Sequence, residues 1–281
     1  MLKTLPSKIF QGLSKLQELN LLHNRLQDLP PDVFSSLGQL QNLHLSANCL
    51  KTLPKGIFKH LTNLRYLSFY DNNLTDIPED TFAPDEAAAL RYLHLSHNEI
   101  SSVEPGAFDD LPELLVLSLE GNKLTEDSFP PLLFAKLGKL QHLNLAGNFI
   151  RRIGHAHHGE AALSAPAPPA LFFGLQSLNQ LLLGKNGLEF LGETSMRNLT
   201  RLQLLHLGSN KISSLPRGLF TDLRRLQLLE LSGNSLLKTI SEENASELVS
   251  LRLLTMKDVP AAAIDEDKVK KGKGRGERGG R

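Results

Sequence analysis

The sequence predicts an α/β solenoid: about ten stacked coils in a curved horseshoe, with a concave parallel β-sheet and a convex side of loops and short helical turns. Three observations predict it. One pattern recurs with a near-constant period, its leucines alternate at the spacing of a short strand, and its second half is punctuated by proline. The reference unit runs Leu40-Gln-Asn-Leu43-His-Leu45-Ser-Ala-Asn48-Cys-Leu50-Lys-Thr-Leu53-Pro54-Lys-Gly56-Ile-Phe58-Lys-His-Leu61.

The asparagines make the period countable. They are Asn24, Asn48, Asn72, Asn98, Asn122, Asn148, Asn186, Asn210 and Asn234, with successive spacings of 24, 24, 26, 24, 26, 38, 24 and 24. A tenth unit, Leu251-x-x-Leu254-x-Met256, carries Val259 where the asparagine should stand. Leu19-x-Leu21, Leu43-x-Leu45 and Leu67-x-Phe69 alternate in and out, which describes a strand with one buried face. Leu53, Phe58 and Leu61 return the chain into the same core. A single unit cannot bury its apolar face alone, whereas stacked units share theirs. The asparagine amide has donors and an acceptor, and it tolerates turn geometry. It can therefore satisfy backbone groups of its own and the neighbouring coil.

This pattern resembles the leucine-rich repeat family in its 24-residue form with a Leu-Pro-x-x-x-Phe second half. The resemblance covers residues 1 to 259. It looks like the subtype of toll-like receptors, small leucine-rich proteoglycans and the regulatory subunit of carboxypeptidase N. The resemblance implies a non-catalytic protein-binding module, extracellular, with a protein ligand or receptor as partner. An intracellular (cytoplasmic) scaffold or regulatory subunit is the alternative.

The first coil is partial. Leu2, Leu5 and Phe10 match Leu26, Leu29 and Phe34, so the chain begins in the second half of a repeat. The returns from Asn72 and Asn122 are each two residues longer than usual. In the first of these, the alanine-rich segment 85–90 is expected to form a helical turn. The 38-residue spacing holds 14 residues beyond the usual 24, which fall at 155–169. Their Pro, Ala and Gly content predicts a mobile convex loop. Residues 260–281 are expected to form a disordered basic tail, since Asp265–Arg281 contains a single aliphatic residue, Val269.

Composition excludes several function classes. Lys plus Arg number 31 against 30 Asp plus Glu, a net charge of +1. That balance gives no case for nucleic acid or an acidic membrane. No apolar run is long enough for a membrane span. The N-terminus has no apolar segment of signal-peptide type. Cys49 is the only cysteine, so there is no intrachain disulfide and no cysteine-rich cap. A truncated or alternatively spliced product is the expected explanation; the alternative is that the tail and a partner cover the ends. No catalytic motif is present, and no cofactor is implied. Gly274-Arg-Gly276-Glu-Arg-Gly279 matches a dinucleotide pattern without the strand and helix that it requires, and is tail composition.

Candidate sites follow from the repeat. The third, fifth and seventh positions of each unit point outward from the sheet. The first units offer Glu18, Asn20, Asn42 and His44. The next two offer Tyr66, Ser68, Tyr70, Tyr92, His94 and Ser96. The sixth adds His142 and Asn144, and the last four include Leu204, His206, Leu228, Glu230 and Leu253. All three tyrosines of the chain fall in the second group. Tyrosine is enriched at interface hot spots, although it also packs well on a sheet without a partner. Tyr66, Tyr70, Tyr92 and His94 are the expected centre of a protein-binding patch. Leu204, Leu228 and Leu253 form an apolar stripe that is either a contact or a surface another segment covers. His155, His157 and His158 are expected to be solvated rather than metal-bound, because zinc needs three or four ligands held in geometry. Asn73-Leu-Thr75, Asn198-Leu-Thr200 and Asn244-Ala-Ser246 fit the N-glycosylation pattern and avoid the concave strand positions.

Overall fold

A computed structural model of the chain describes residues 1–82, 88–154 and 170–260. Residues 85–87 of the expected helical turn at 85–90 lie outside the described residues, as do the inserted segment 155–169 and the tail from 261 onward; residues 88 and 89 form a turn.

Ten parallel strands form one sheet, laid down strictly in sequence order. They are Glu18–Asn20, Asn42–His44, Tyr66–Ser68, Tyr92–His94, Val116–Ser118, His142–Asn144, Gln180–Leu182, Leu204–His206, Leu228–Glu230 and Leu253–Thr255. Each has three residues because the pattern alternates only there, before the chain must turn. Register follows the repeat, so that Glu18 lies beside Asn42, Tyr66 beside Tyr92 and Leu228 beside Leu253. The 38-residue spacing leaves the register intact, with Gln180 beside His142.

A corner ends every strand. The residue before each asparagine takes left-handed backbone geometry: φ is 52° at Ala47, 59° at Asp71, 55° at His97 and 56° at Ser209. This conformation costs a non-glycine residue about 1 kcal/mol or more. The next residue offsets that cost. Asn98 Oδ1 accepts from Leu74 N–H at 3.0 Å, and its Nδ2 donates to the carbonyls of Phe69 and Leu95 at 2.9 and 3.0 Å. The same three-way bridge recurs at Asn48, Asn72, Asn122, Asn148, Asn186, Asn210 and Asn234. Each asparagine thus joins its own corner to the previous coil. In the tenth unit Asp258 keeps the corner, with φ 56°, but Val259 supplies neither bond.

The returning halves are mostly turns, with 3-10 helices at Glu79–Phe82 and Glu126–Ser128 and one short α-helix, Glu242–Glu247. Ser241 caps that helix, its side chain accepting from Asn244 N–H. Two features went unforeseen: the parallel pairs Asp76–Ile77 with Ser102–Val103, and Arg152–Ile153 with Phe190–Leu191. Between sheet and returns runs one continuous core. Its widest layer holds Phe34, Phe58, Phe82, Phe108, Phe134, Phe172 and Phe220, all at most 1% exposed, with Met196 in the equivalent place. Among the described residues no helix is long and apolar enough to cross a membrane.

Candidate functional site

The outward face of the sheet separates into two halves of different chemistry. In the N-terminal half the rings expected to cluster do so. His44 and Tyr66 lie 4.9 Å apart between centroids, Tyr66 and His94 5.4 Å, and Tyr66 and Tyr92 6.4 Å, all tilted. Strand spacing sets this geometry: Tyr92 lies directly beside Tyr66, and His44 and His94 lie diagonally from it, two residues further along the neighbouring strands. Tyr70 stands at the end of its strand and meets His97 edge-on at 5.0 Å. Tyr70 and Tyr92 remain 47% and 40% exposed, so the patch is rigidly packed yet open.

Beneath the rings lies an open depression of about 400 Å³, lined among others by His44, Ser46, Tyr66, Ser68, Tyr70, Asp71 and His94. Its floor is polar. The Ser46 and Ser68 hydroxyls share a buried hydrogen bond of 2.7 Å, and Ser68 Oγ also accepts from Tyr70 N–H at 3.4 Å. Desolvation by burial holds the His94 pKa below the usual histidine value, so this ring is neutral at pH 7. His44 approaches Glu18 at 3.8 Å.

The C-terminal half is aliphatic. Leu204, Leu228 and Leu253 lie side by side in register; the first two are half-buried and Leu253 is 52% exposed. Beside them, desolvation pushes the Glu230 carboxyl up. Hydrogen bonds from Ser232 and Thr255 and the proximity of His206 outweigh it, and its pKa stays below the usual carboxylate range. His142 lies between these halves, beside Val116 and Gln180, and takes no part in the aromatic cluster. The residues that sequence reasoning missed are His97, Ser46 and Asp71. Their signal was available in the seventh and eighth positions of the repeat, which turn off the strand toward its rim.

The three glycosylation motifs fare differently. Asn73 and Asn198 are exposed. Asn244 corrects the expectation: it is 0% exposed, and its Nδ2, the atom a glycan would occupy, donates to the Leu215 carbonyl. The motif sits on a capped helix whose inward face carries the asparagine. Among the described residues no group of three or more His, Cys, Asp or Glu side chains could hold a metal ion. His155, His157 and His158 lie outside them.

A parallel one-sided sheet, corners stitched by asparagine and an open outer face together define a leucine-rich repeat solenoid. Residues 1–50, 39–84, 86–124 and 200–258 match the leucine rich repeat family model, and the chain belongs to that family. Among solved structures it is similar to the TLR13–ssRNA13 complex, at 29% identity, with TM-score 0.79, covering 92% of this chain and 35% of that one. A leucine-rich repeat protein of Leptospira interrogans matches at 30% identity and TM-score 0.63, covering 92% and 64%. The Drosophila Toll–Spatzle complex, in a glycosylated form, shares the fold at 21% identity and TM-score 0.65, covering 92% and 40%. The chain therefore spans roughly a third to two thirds of the length of these structures. No curated protein matches it.

Proposed function

We propose that this chain is a non-catalytic protein-binding module acting outside the cell, and that Tyr66, Tyr70, Tyr92, His94 and His44 form the contact. One observation carries this reading: a contiguous set of aromatic rings, packed against one another across adjacent strands, lies on a face where Tyr70 and Tyr92 stay exposed among the described residues. Rigid rings with polar tips give large contact area at low entropic cost. Protein is favoured over nucleic acid because none of the ten strands of the main sheet contains Lys or Arg, and phosphate binding depends on such cations. His142, Leu204 and Leu228 would lie along the same face as a secondary contact.

The test is affinity capture from extracellular fluid by wild-type protein and by the Tyr66→Ala/Tyr92→Ala variant. Losing two hot-spot rings should weaken retention of the captured protein by roughly 800-fold if the losses add, and by no less than about thirtyfold, since each costs around 2 kcal/mol. Lys59→Ala, exposed and off the concave strands, should retain it fully. Undiminished capture by a double variant that still melts like wild type would sink the reading.

The extracellular assignment rests on family resemblance and on exposed Asn73 and Asn198, which are off the strand positions and would leave the sheet face clear. Enzymatic removal of N-glycans from native protein should lower its mass, with the lost sugar mapping to those two residues and not to buried Asn244. An unchanged mass in material from the cytosol would point to an intracellular scaffold instead.

A further inference from the structure

We propose that the depression beneath Tyr66 and Tyr70 is a seat for the guanidinium group of an arginine side chain on the partner. This deepens the protein-binding reading and rests on it. The lining includes the rings of His44, Tyr66, Tyr70 and His94, with Leu22, His23 and Ala47 beside them. A cation within about 6 Å of such faces is attracted by their quadrupole, and a planar guanidinium also stacks on them.

The charge around the opening has one sign. With histidines counted as neutral, the only formal charge lining the depression is the Asp71 carboxylate, and no Lys or Arg lines it. Asp71 forms no ion pair among the described residues. Glu18 adds a second carboxylate nearby, reached through His44 at 3.8 Å. The floor offers the Ser46 hydroxyl oxygen, which keeps at least one lone pair for an N–H donor whichever hydroxyl donates in the bond to Ser68. A volume of about 400 Å³ is ample for one long side chain. Aromatic rings, an acceptor below and a carboxylate at the lip complement a donor-only cation and not an anion.

The chain reports on this site by itself. It has three tyrosines and no tryptophan, and all three tyrosines belong to the patch. The probes are N-acetyl-arginine amide and N-acetyl-citrulline amide, which has the same shape and no charge. Each is titrated into the whole protein carrying ring-labelled tyrosine, and the ring signals are followed by NMR. The arginine probe should shift the Tyr66 and Tyr70 signals with an affinity in the mM range, at least about fivefold tighter than the citrulline probe. Asp71→Asn should weaken the arginine probe by about two- to fivefold and leave the citrulline probe unchanged. This variant keeps its fold, because asparagine tolerates the left-handed backbone found there, φ 59°.

Equal shifts from both probes would overturn the cation seat and indicate a neutral occupant. Unmoved ring signals at tens of mM arginine probe would overturn it as well (about a tenfold excess over the expected affinity). Either result, alongside capture that still depends on Tyr66 and Tyr92, leaves the face as a protein-binding surface and removes only the arginine from it.

Discussion

Replacing Asn122 by aspartate should destabilise the middle of the solenoid by about 3–5 kcal/mol at pH 7, more than replacing it by alanine. The side chain is 3% exposed. Its Oδ1 accepts from Ile100 N–H at 3.0 Å, and its Nδ2 donates to Leu95 O at 3.0 Å and Leu119 O at 2.9 Å. Aspartate keeps the first bond but turns an oxygen toward the carbonyl oxygens of Leu95, Leu119 and Glu120. It also buries a charge at a position that is almost closed to water. Alanine removes these bonds without adding charge, for about 2–4 kcal/mol. The order narrows near pH 4, where a protonated carboxyl regains one donor. The sign follows from linkage: burial raises the folded-state pKa of the new carboxyl above its unfolded value. The variant therefore binds a proton on folding and loses stability as pH rises through that range.

Hydrogen exchange is the suitable measurement, because coils stack only on their neighbours and the loss should be local. Amides of the coils on either side of Asn122 should lose protection, while those near Asn210 keep theirs. Asn24 provides the internal control. It is only half-buried and its bond from Leu2 N–H is exposed to solvent, so Asn24→Asp should cost about 1 kcal/mol or less. Equal protection in Asn122→Asp and wild type at pH 7 would refute the stitching role.

The second large effect is expected at Phe58. Its ring is fully buried, stacks on Phe82 at 5.5 Å and 8°, and meets Phe69 edge-on at 6.1 Å. Phe10 with Phe34 and Phe108 with Phe134 repeat the stacked arrangement at 6.2 and 6.4 Å. The ring fills the space between the sheet and the returning half of its own coil and packs on the next one. Phe58→Ala should cost about 3–5 kcal/mol, toward the upper end because two ring contacts vanish with the volume. Phe58→Leu should cost less than about 2 kcal/mol, since leucine restores part of the apolar volume. Chemical denaturation of both variants reads the difference. A midpoint for Phe58→Ala within error of wild type would show that the Phe layer is not a stabilising spine.

Much of this molecule is legible in one dimension. A fixed period places residues 24 positions apart beside one another, so that linear spacing becomes lateral contact. The strand register, the asparagine bridges, the Phe layer and the approach of Tyr66 to Tyr92, His44 and His94 all follow from that translation. It survives the long spacing before Asn186 because the core positions on both sides still match, and the sheet joins them directly.

What the tertiary structure decided lies where the repeat leaves a position free. Nothing in the motif Asn244-Ala-Ser246 distinguishes it from Asn73-Leu-Thr75, yet a capped helix turns Asn244 inward and its amide into a core donor. Tyr70 and Asp71 are variable positions in the pattern. Only the corner geometry carries them past the strand end, to form the lip of a depression whose serine floor comes from two different coils. The exposed or buried fate of such residues depends on which way a turn directs a side chain. Sequence period determines neighbours along the stack, while the local backbone determines direction.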